Sequence, residues 1–201
     1  GADGSPTTTG TGVYIGSTNN VSLSNMTFAG NTQNFNILGD NVTNFTLRDS
    51  TMSAGTTVGT SGVEGNIRFV NLDGVAVFEG NNIEDAFNNA LRIQNTENTT
   101  LNLFVRDSSS GDQAIFGHNV NNDIVSVETQ NDANARILVD GVQFTGWHGD
   151  AVNTTALGTS NIDVTVQNSS FNNGHVDNAD GSVGVLIGGT AGGGSWGVGY
   201  S

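Results

Sequence analysis

The octet VSLSNMTF at residues 21–28 decides the fold, because variants of it return along the chain. In each copy two apolar residues lie two positions apart, a short polar step follows, and a large apolar residue closes the unit. Apolar side chains two apart lie on one face of a strand. Asn, Asp or Gly in the polar step favours a turn with left-handed dihedrals. Each octet therefore predicts a corner between two short strands. The other copies are FTLRDSTM, ILVDGVQF and VTVQNSSF at residues 45–52, 137–144 and 164–171.

Short apolar runs that end in Asn-rich or Gly-rich turns precede the octets and predict a second kind of strand. We assign to this slot residues 13–15, 35–37, 91–93, 114–116 and 185–187. In the middle of the chain, strands are predicted at residues 67–77 and 101–105, and an additional strand at residues 124–127.

The spacing of the octets indicates a stacked architecture. Val21 and Phe45 are 24 residues apart, and Ile137 and Val164 are 27 apart. Periods of this length indicate stacked repeats, in which one coil cannot bury its apolar face alone. The Asp73-Gly74 and Asp140-Gly141 pairs fall at the corners of the repeat, so they do not predict hairpins. We expect an all-β fold, a right-handed parallel β-helix of about seven coils.

Three segments follow from the composition of the chain. Residues 1–11 are expected to be an N-terminal extension or a cut linker, and residues 12–188 the β-helix. Residues 189–201 are Gly-rich, and there we expect Trp196 and Tyr200 to cap the stack or to form an assembly contact. Only residues 84–92 show a helical period.

The charge balance restricts the partners. The chain has 19 acidic and 5 basic residues, a net charge of -14, so binding to nucleic acid or to an anionic membrane is disfavoured by repulsion. No apolar run approaches the roughly 18 residues of a membrane span, so no span is expected. Without cysteine, disulfides and thiolate metal sites are excluded.

The repeats also resemble a known family. The units VSLSNMTF, FTLRDSTM and VTVQNSSF, with GVYIGSTNN before the first, resemble the right-handed parallel β-helix repeats of the pectate-lyase-like superfamily. They are most similar to long secreted bacterial β-strand-repeat surface proteins, and the resemblance covers about residues 12–188. It implies a secreted, cell-surface location. It implies little about activity, because the fold carries lyases, hydrolases, epimerases, tailspikes, adhesins and stalks.

The candidate enzymatic site is the stretch TGWHGD at residues 145–150. Trp147 could stack on a sugar, and His148 and Asp150 could act as base or metal ligand. Glycosidases of this fold need two or three carboxylates within about 5 to 10 Å, and no paired-Asp motif occurs in the sequence. The alternative interpretation is a loop whose tryptophan covers the core.

Metal sites are the next possibility. His118, His148 and His175 lie 30 and 27 residues apart, about one coil each, so a row of three could hold zinc or copper. Acidic turns could bind structural Ca²⁺, although no nonapeptide calcium array is present. No other cofactor is expected. The acidic residues in predicted turns are Asp40, Asp49, Asp73, Asp107, Asp112, Asp123, Asp132 and Asp140.

Two ladders between coils are expected as well. Asn20, Asn44 and Asn161 lie at or just ahead of corner strands, where stacked amides could align. Arg48-Asp49 and Arg106-Asp107 occupy equivalent repeat positions and predict ion pairs between neighbouring coils.

The sequence therefore predicts a non-catalytic extracellular structural or adhesive module of a larger bacterial surface or filament-forming protein. Its expected partners are further copies bound end to end or another surface protein. The alternative is a carbohydrate-active or carbohydrate-binding β-helix, such as a polysaccharide lyase or a phage tailspike, centred on Trp147, His148 and Asp150.

Overall fold

The computed structural model describes residues 10–29, 32, 34–53, 65–108, 114–117, 122–174, 184–189 and 195–199. In this part of the chain all paired strands run parallel, and no helix occurs, so the predicted all-β parallel solenoid is confirmed. Residues 84–92, the stretch with a helical period, contribute to two strands instead.

In the described part of the chain, seventeen strands make up two sheets. In chain order they are β1 (Val13–Ser24), β2 (Thr27–Ala29), β3 (Phe35–Arg48), β4 (Thr51–Ser53), β5 (Gly65–Glu79), β6 (Asn82–Glu84), β7 (Asn89–Asn95), β8 (Thr100–Arg106), β9 (Ile115–Gly117), β10 (Val125–Thr129), β11 (Asn134–Asp140), β12 (Gln143–Thr145), β13 (Val152–Ala156), β14 (Asn161–Gln167), β15 (Ser170–Asn172), β16 (Val185–Gly189) and β17 (Ser195–Gly199). The short sheet holds β2, β4, β6, β9, β12 and β15, and the long sheet holds the other strands.

The corner octets lie directly above one another, as predicted. Val21 pairs with Phe45 on neighbouring parallel strands, and Ile137 pairs with Val164. Their closing residues pair likewise, Phe144 with Phe171 in the short sheet. The six strands of that sheet are separated by five turns, slightly fewer than the seven coils expected; β16 and β17 extend only the long sheet.

The long sheet divides at β5. Its first half pairs with β7 and its second half with β8. We call the surface formed by the first halves of β1, β3 and β5 together with β7, β10, β13 and β16 the first face. The second halves of the same three strands, with β8, β11, β14 and β17, form the second face, and the short sheet forms the third.

Left-handed residues form the corners between these faces. Asn41 (φ 54°) and Asn71 (φ 55°) lie in neighbouring coils at the bend between the first and second faces. Asn tolerates this conformation better than other residues with a Cβ atom. At the corner into the third face the left-handed residues are Asn25, Asp49, Gly80, Gly141 and Asn168. The predicted turn chemistry of the octets is confirmed.

One strand assignment is wrong. The sequence predicts residues 114–116 in the slot ahead of an octet, but β9 lies in the third face, between β6 and β12. Of residues 124–127, predicted as an additional strand, residues 125–127 belong to β10, which fills the slot in the first face. The cause is a longer connection after Arg106, across which Asp107 Oδ1 accepts a hydrogen bond from the Ala114 N–H at 2.6 Å.

The core is a continuous column of apolar side chains with two aromatic groups. Phe45 lies 4.8 Å from Phe69 and 5.6 Å from Phe78, measured between ring centroids. Further along, Phe144 stacks on Phe171 at 5.1 Å, with only 12° between the ring planes. Contacts of this kind between coils stabilise the stack beyond the area that they bury.

Candidate functional site

The predicted site loop, residues 145–150, connects β12 to β13. Trp147 is only 7% exposed, and its ring forms a T-shaped pair with Phe171, with 6.2 Å between ring centroids and an interplanar angle of 85°. This geometry favours the interpretation in which the tryptophan covers the core.

Asp150 meets a carboxylate from the preceding coil, Asp123. Both are buried, with exposed fractions of 8% and 6%. Asp123 Oδ1 accepts a hydrogen bond from the Asp150 backbone N–H at 2.9 Å. Asn153 Nδ2 donates to Asp123 Oδ2 at 3.1 Å and to Asp150 Oδ2 at 3.4 Å. Two carboxylates therefore converge on a single carboxamide.

Burial raises the pKa of the Asp123 carboxyl, and the charge of Asp150 adds to the rise. The hydrogen bonds from the Asp150 backbone and Asn153, and the charge of Arg92, act in the opposite direction. Burial disfavours an ionised carboxylate because water is lost around it. A carboxyl of raised pKa next to a second carboxyl is an arrangement that general acid catalysis can use.

Sequence reasoning placed Asp123 only among the acidic turns and did not join it to Asp150. A signal was available, since the two residues are 27 apart, the same spacing as Ile137 and Val164. In a solenoid, residues one coil apart become neighbours in space even without a local motif.

The metal predictions remain predictions. His148 lies in the described loop, whereas His118, His175 and Asp112 lie outside the described residues. Among the residues that the structure describes, no group of three or more His, Asp or Glu side chains could hold a metal ion. Several of the acidic turns bind neighbouring coils: Asp73 Oδ1 accepts a hydrogen bond from the Thr100 N–H at 2.7 Å.

The predicted ion pairs between coils form with a different partner. Arg48 and Arg106 lie on either side of Glu79, in register on neighbouring strands. Arg48 Nε is 3.4 Å from Glu79 Oε1, and Arg106 Nη2 is 2.7 Å from Glu79 Oε2. Together with Asp107 and Ser108 these side chains line a pocket of about 440 Å³.

The second face also carries outward apolar side chains that sequence reasoning missed. Phe104 and Leu138 pair in register, are partly exposed, and lie outside the hydrophobic core. The Arg106 guanidinium carbon lies 5.8 Å from the centroid of the Phe104 ring. The available signal was a break in alternation: in other coils this slot holds Ser22, Thr46 and Thr165.

The C-terminal candidates are only partly described. Trp196 lies in β17, where it pairs with Ile162 of β14, so residues 195–199 add a strand to the second face. Tyr200 lies outside the described residues. The assembly role of both residues stays a prediction.

Comparison with known proteins assigns the chain to no family. No protein-family model matches the chain, and searches of curated proteins and of solved structures give no significant match. In the described residues no helix is long and apolar enough to cross a bilayer.

Proposed function

We propose that this chain is a non-catalytic extracellular module with a structural and adhesive role in a larger bacterial surface or filament-forming protein. The observation that carries the proposal is the burial of the candidate chemical groups. Trp147, Asp123 and Asp150 are all less than one-tenth exposed, and the Asp123 carboxylate binds the neighbouring coil through the Asp150 backbone N–H and Asn153. The resemblance of the repeats to secreted bacterial surface proteins supports the extracellular location.

The ends of the described stack support end-to-end contact. Val21, Leu23 and Phe28 in the first coil are partly exposed, whereas Phe45 and Leu47 in the same slots of the next coil are fully buried. At the other end Val166, Phe171, Val185 and Ile187 are likewise only partly buried. Parallel strand edges beside exposed apolar side chains favour the addition of a further layer.

Charge favours the same geometry. With a net charge of -14, two copies repel each other side by side. Apolar end surfaces bury area on contact without bringing many carboxylates together. Stacking along the axis is therefore the association that costs least, and it produces linear particles.

The proposal is tested by sedimentation and negative-stain electron microscopy across a range of protein concentrations. We expect linear particles that lengthen with concentration. Leu23→Asp places a charge on the end surface and is expected to shorten them. Val75→Asp is the control, because Val75 is 45% exposed and lies on the side of the solenoid. A protein that stays monomeric at every concentration contradicts end-to-end association.

A second candidate function is a carbohydrate-active enzyme, favoured by the carboxylate that Asp123 brings to Asp150 from the adjacent coil. This alternative is supported if the wild-type protein depolymerises acidic polysaccharides and Asp150→Asn loses this activity. The exposed Asp163→Asn is the control and should retain it. Polysaccharides that keep their full length after long incubation with the wild-type protein rule it out.

A further inference from the structure

The second face carries an apolar stripe, which we define as Val77, Phe104 and Leu138; Phe104 and Leu138 are partly exposed, whereas Val77 is only 8% exposed. These residues lie in register on β5, β8 and β11. Polar rows flank the stripe two residues away on either side. One row is apolar at the exposed Val75 of β5 and otherwise holds Asn102, Arg136 and Asp163, and the other contains Glu79, Arg106, Asp140 and Gln167.

The stripe is not required by the core. Phe104 and Leu138 point away from the column of buried side chains, and polar residues fill the same slot in the coils on either side. A cavity of about 230 Å³ opens between Phe104, Leu138, Arg136 and Thr165. A row of apolar side chains on a surface next to an open depression is typical of an interaction site.

Arg106 is held in place before any ligand arrives. Its Nε and Nη2 atoms lie 2.8 and 2.7 Å from Glu79 Oε2, and its guanidinium lies over the Phe104 ring. Its side chain is still 41% exposed. A donor that is already ordered and accessible loses little entropy when it binds.

The charges of this face are nearly balanced. Arg106 pairs with Glu79, and Arg136 Nε lies 3.9 Å from Asp163 Oδ2. Since the whole chain is strongly acidic, an anionic polymer gains nothing here and is repelled at long range. The match is therefore with an uncharged ligand.

Backbone pairing excludes an extended peptide added as a strand to this face. β8 and β11 are each paired on both sides, so their N–H and C=O groups are occupied. What remains is a narrow apolar surface with hydrogen-bonding groups along both edges. A pyranose ring has the matching chemistry, since its C–H face is apolar and its hydroxyl groups lie around the rim.

We propose that the second face binds an uncharged linear polysaccharide parallel to the solenoid axis, with a sugar ring stacked on Phe104. Hydroxyl groups of the sugar accept from Arg106 and Arg136 and exchange hydrogen bonds with Asn102. Neighbouring strands are about 4.8 Å apart, so the stripe from Val77 to Leu138 extends over about 10 Å. The inference rests on the adhesive role proposed above and gives it a ligand class.

Affinity electrophoresis tests the proposal with the full chain. The gels contain a soluble β-glucan, a galactomannan or an α-glucan, and polygalacturonate serves as the anionic comparison. We expect at least one uncharged polysaccharide to retard the wild-type protein, and polygalacturonate not to. Phe104→Ala should weaken the retardation at least about tenfold, and Leu138→Asp should abolish it. Tyr14→Ala, which removes a 48% exposed aromatic ring from the first face, is the matched control.

Melting temperatures of all the variants establish that they fold. Absence of retardation by all three uncharged polysaccharides overturns the proposal, as does equal retardation of Phe104→Ala and Tyr14→Ala. Sedimentation of the same samples measures end-to-end association separately. Linear particles without glycan binding therefore contradict only the glycan-binding proposal and not the structural role proposed above. Shortened polysaccharide chains, detected by size-exclusion chromatography, contradict the non-catalytic function instead.

Discussion

The early and late coils make the same bend in two ways. In β1, β3 and β5 the chain passes from the first face to the second within one continuous strand, through left-handed residues such as Asn41 and Asn71. In the later coils the strand is interrupted, as at residues 96–99 between β7 and β8. Both faces nevertheless stay in register, so the stack tolerates loops at this bend without losing its parallel pairing.

Asn95 shows how the change from one bend to the other is accommodated. Its Nδ2 donates to the Leu72 carbonyl at 2.8 Å, and its Oδ1 accepts from the Leu72 N–H at 2.9 Å. The side chain is fully buried and replaces the backbone partner that Leu72 lacks where the sheet divides. The bend of the early coils is made by backbone conformation. The branch, where the long sheet divides at β5, depends instead on the buried amide of Asn95.

The largest effect is expected from Phe69→Ala in β5, the strand that joins the two kinds of coil. Phe69 is fully buried against Phe45 and Phe78, so truncation should lower the free energy of unfolding by about 3–5 kcal/mol. Denaturant unfolding measures it. Phe171→Ala in the last coil, where the ring is only partly buried, should cost less. Equal losses at both sites indicate that β5 has no special place in the core.

The next largest effect separates the two bends. Asn95→Leu keeps the branched shape of the side chain but leaves the N–H and C=O of Leu72 buried without partners, which should cost about 2–4 kcal/mol. Asn44→Leu in the bend of the early coils, where the amide is partly exposed, should cost less. If Asn95→Leu unfolds at the wild-type denaturant concentration, the branch does not depend on this amide.

Asn44 tests the bend of the early coils itself, where the strand is continuous. It has φ 59°, donates to Asn20 Oδ1 at 2.9 Å, and accepts from the Val75 N–H at 2.8 Å. Asn44→Ala should lose about 1–2 kcal/mol, since it removes the ladder and strains the backbone. Asn44→Gly loses the ladder without the strain and should be the milder change in thermal unfolding. The opposite ranking contradicts a left-handed corner.

The smallest effect concerns the buried carboxylate of the late coils. The folded-state pKa of Asp123 lies above its ordinary value of 3.8, so the folded protein holds this proton more tightly. The stability that this proton contributes is complete below about pH 3.8 and is lost as the pH rises through the folded pKa. Relative to Asp123→Asn, the wild-type free energy of unfolding should fall over that window, by at most about 1.4 kcal/mol per pH unit.

Unfolding curves recorded at a series of pH values measure the difference between wild type and Asp123→Asn. A wild-type advantage over Asp123→Asn that grows as the pH rises contradicts a raised pKa.

The parts of the structure that depend on local pattern could be predicted. Alternating apolar residues and left-handed corner residues identified the octets, and the paired amides of Asn44 and Asn20 confirm part of the expected ladder. The prediction of which face a strand occupies failed where the connection between two strands changed length. After Arg106 the longer link moved residues 114–116 into the third face.

The candidate site was harder to predict for a related reason. The Asp123–Asp150 pair arises between coils, so no motif along the chain contains it. Phe104 and Leu138 interrupt the polar side of the alternation in their strands, and only the register shows that they lie next to each other on the outward side. Which coil lies above which had to be known before either feature could be recognised.

Distances between spin labels test that stacking directly. Ser22, Thr46, Val77, Phe104, Leu138 and Thr165 form one outward row across the early and late coils. The chain has no cysteine, so labels can be attached to Ser22→Cys paired with a second cysteine at position 104, 138 or 165. Double electron–electron resonance should give distances that rise in equal steps, about 14, 19 and 24 Å between the backbones. Distances that do not increase with each coil contradict a continuous parallel stack.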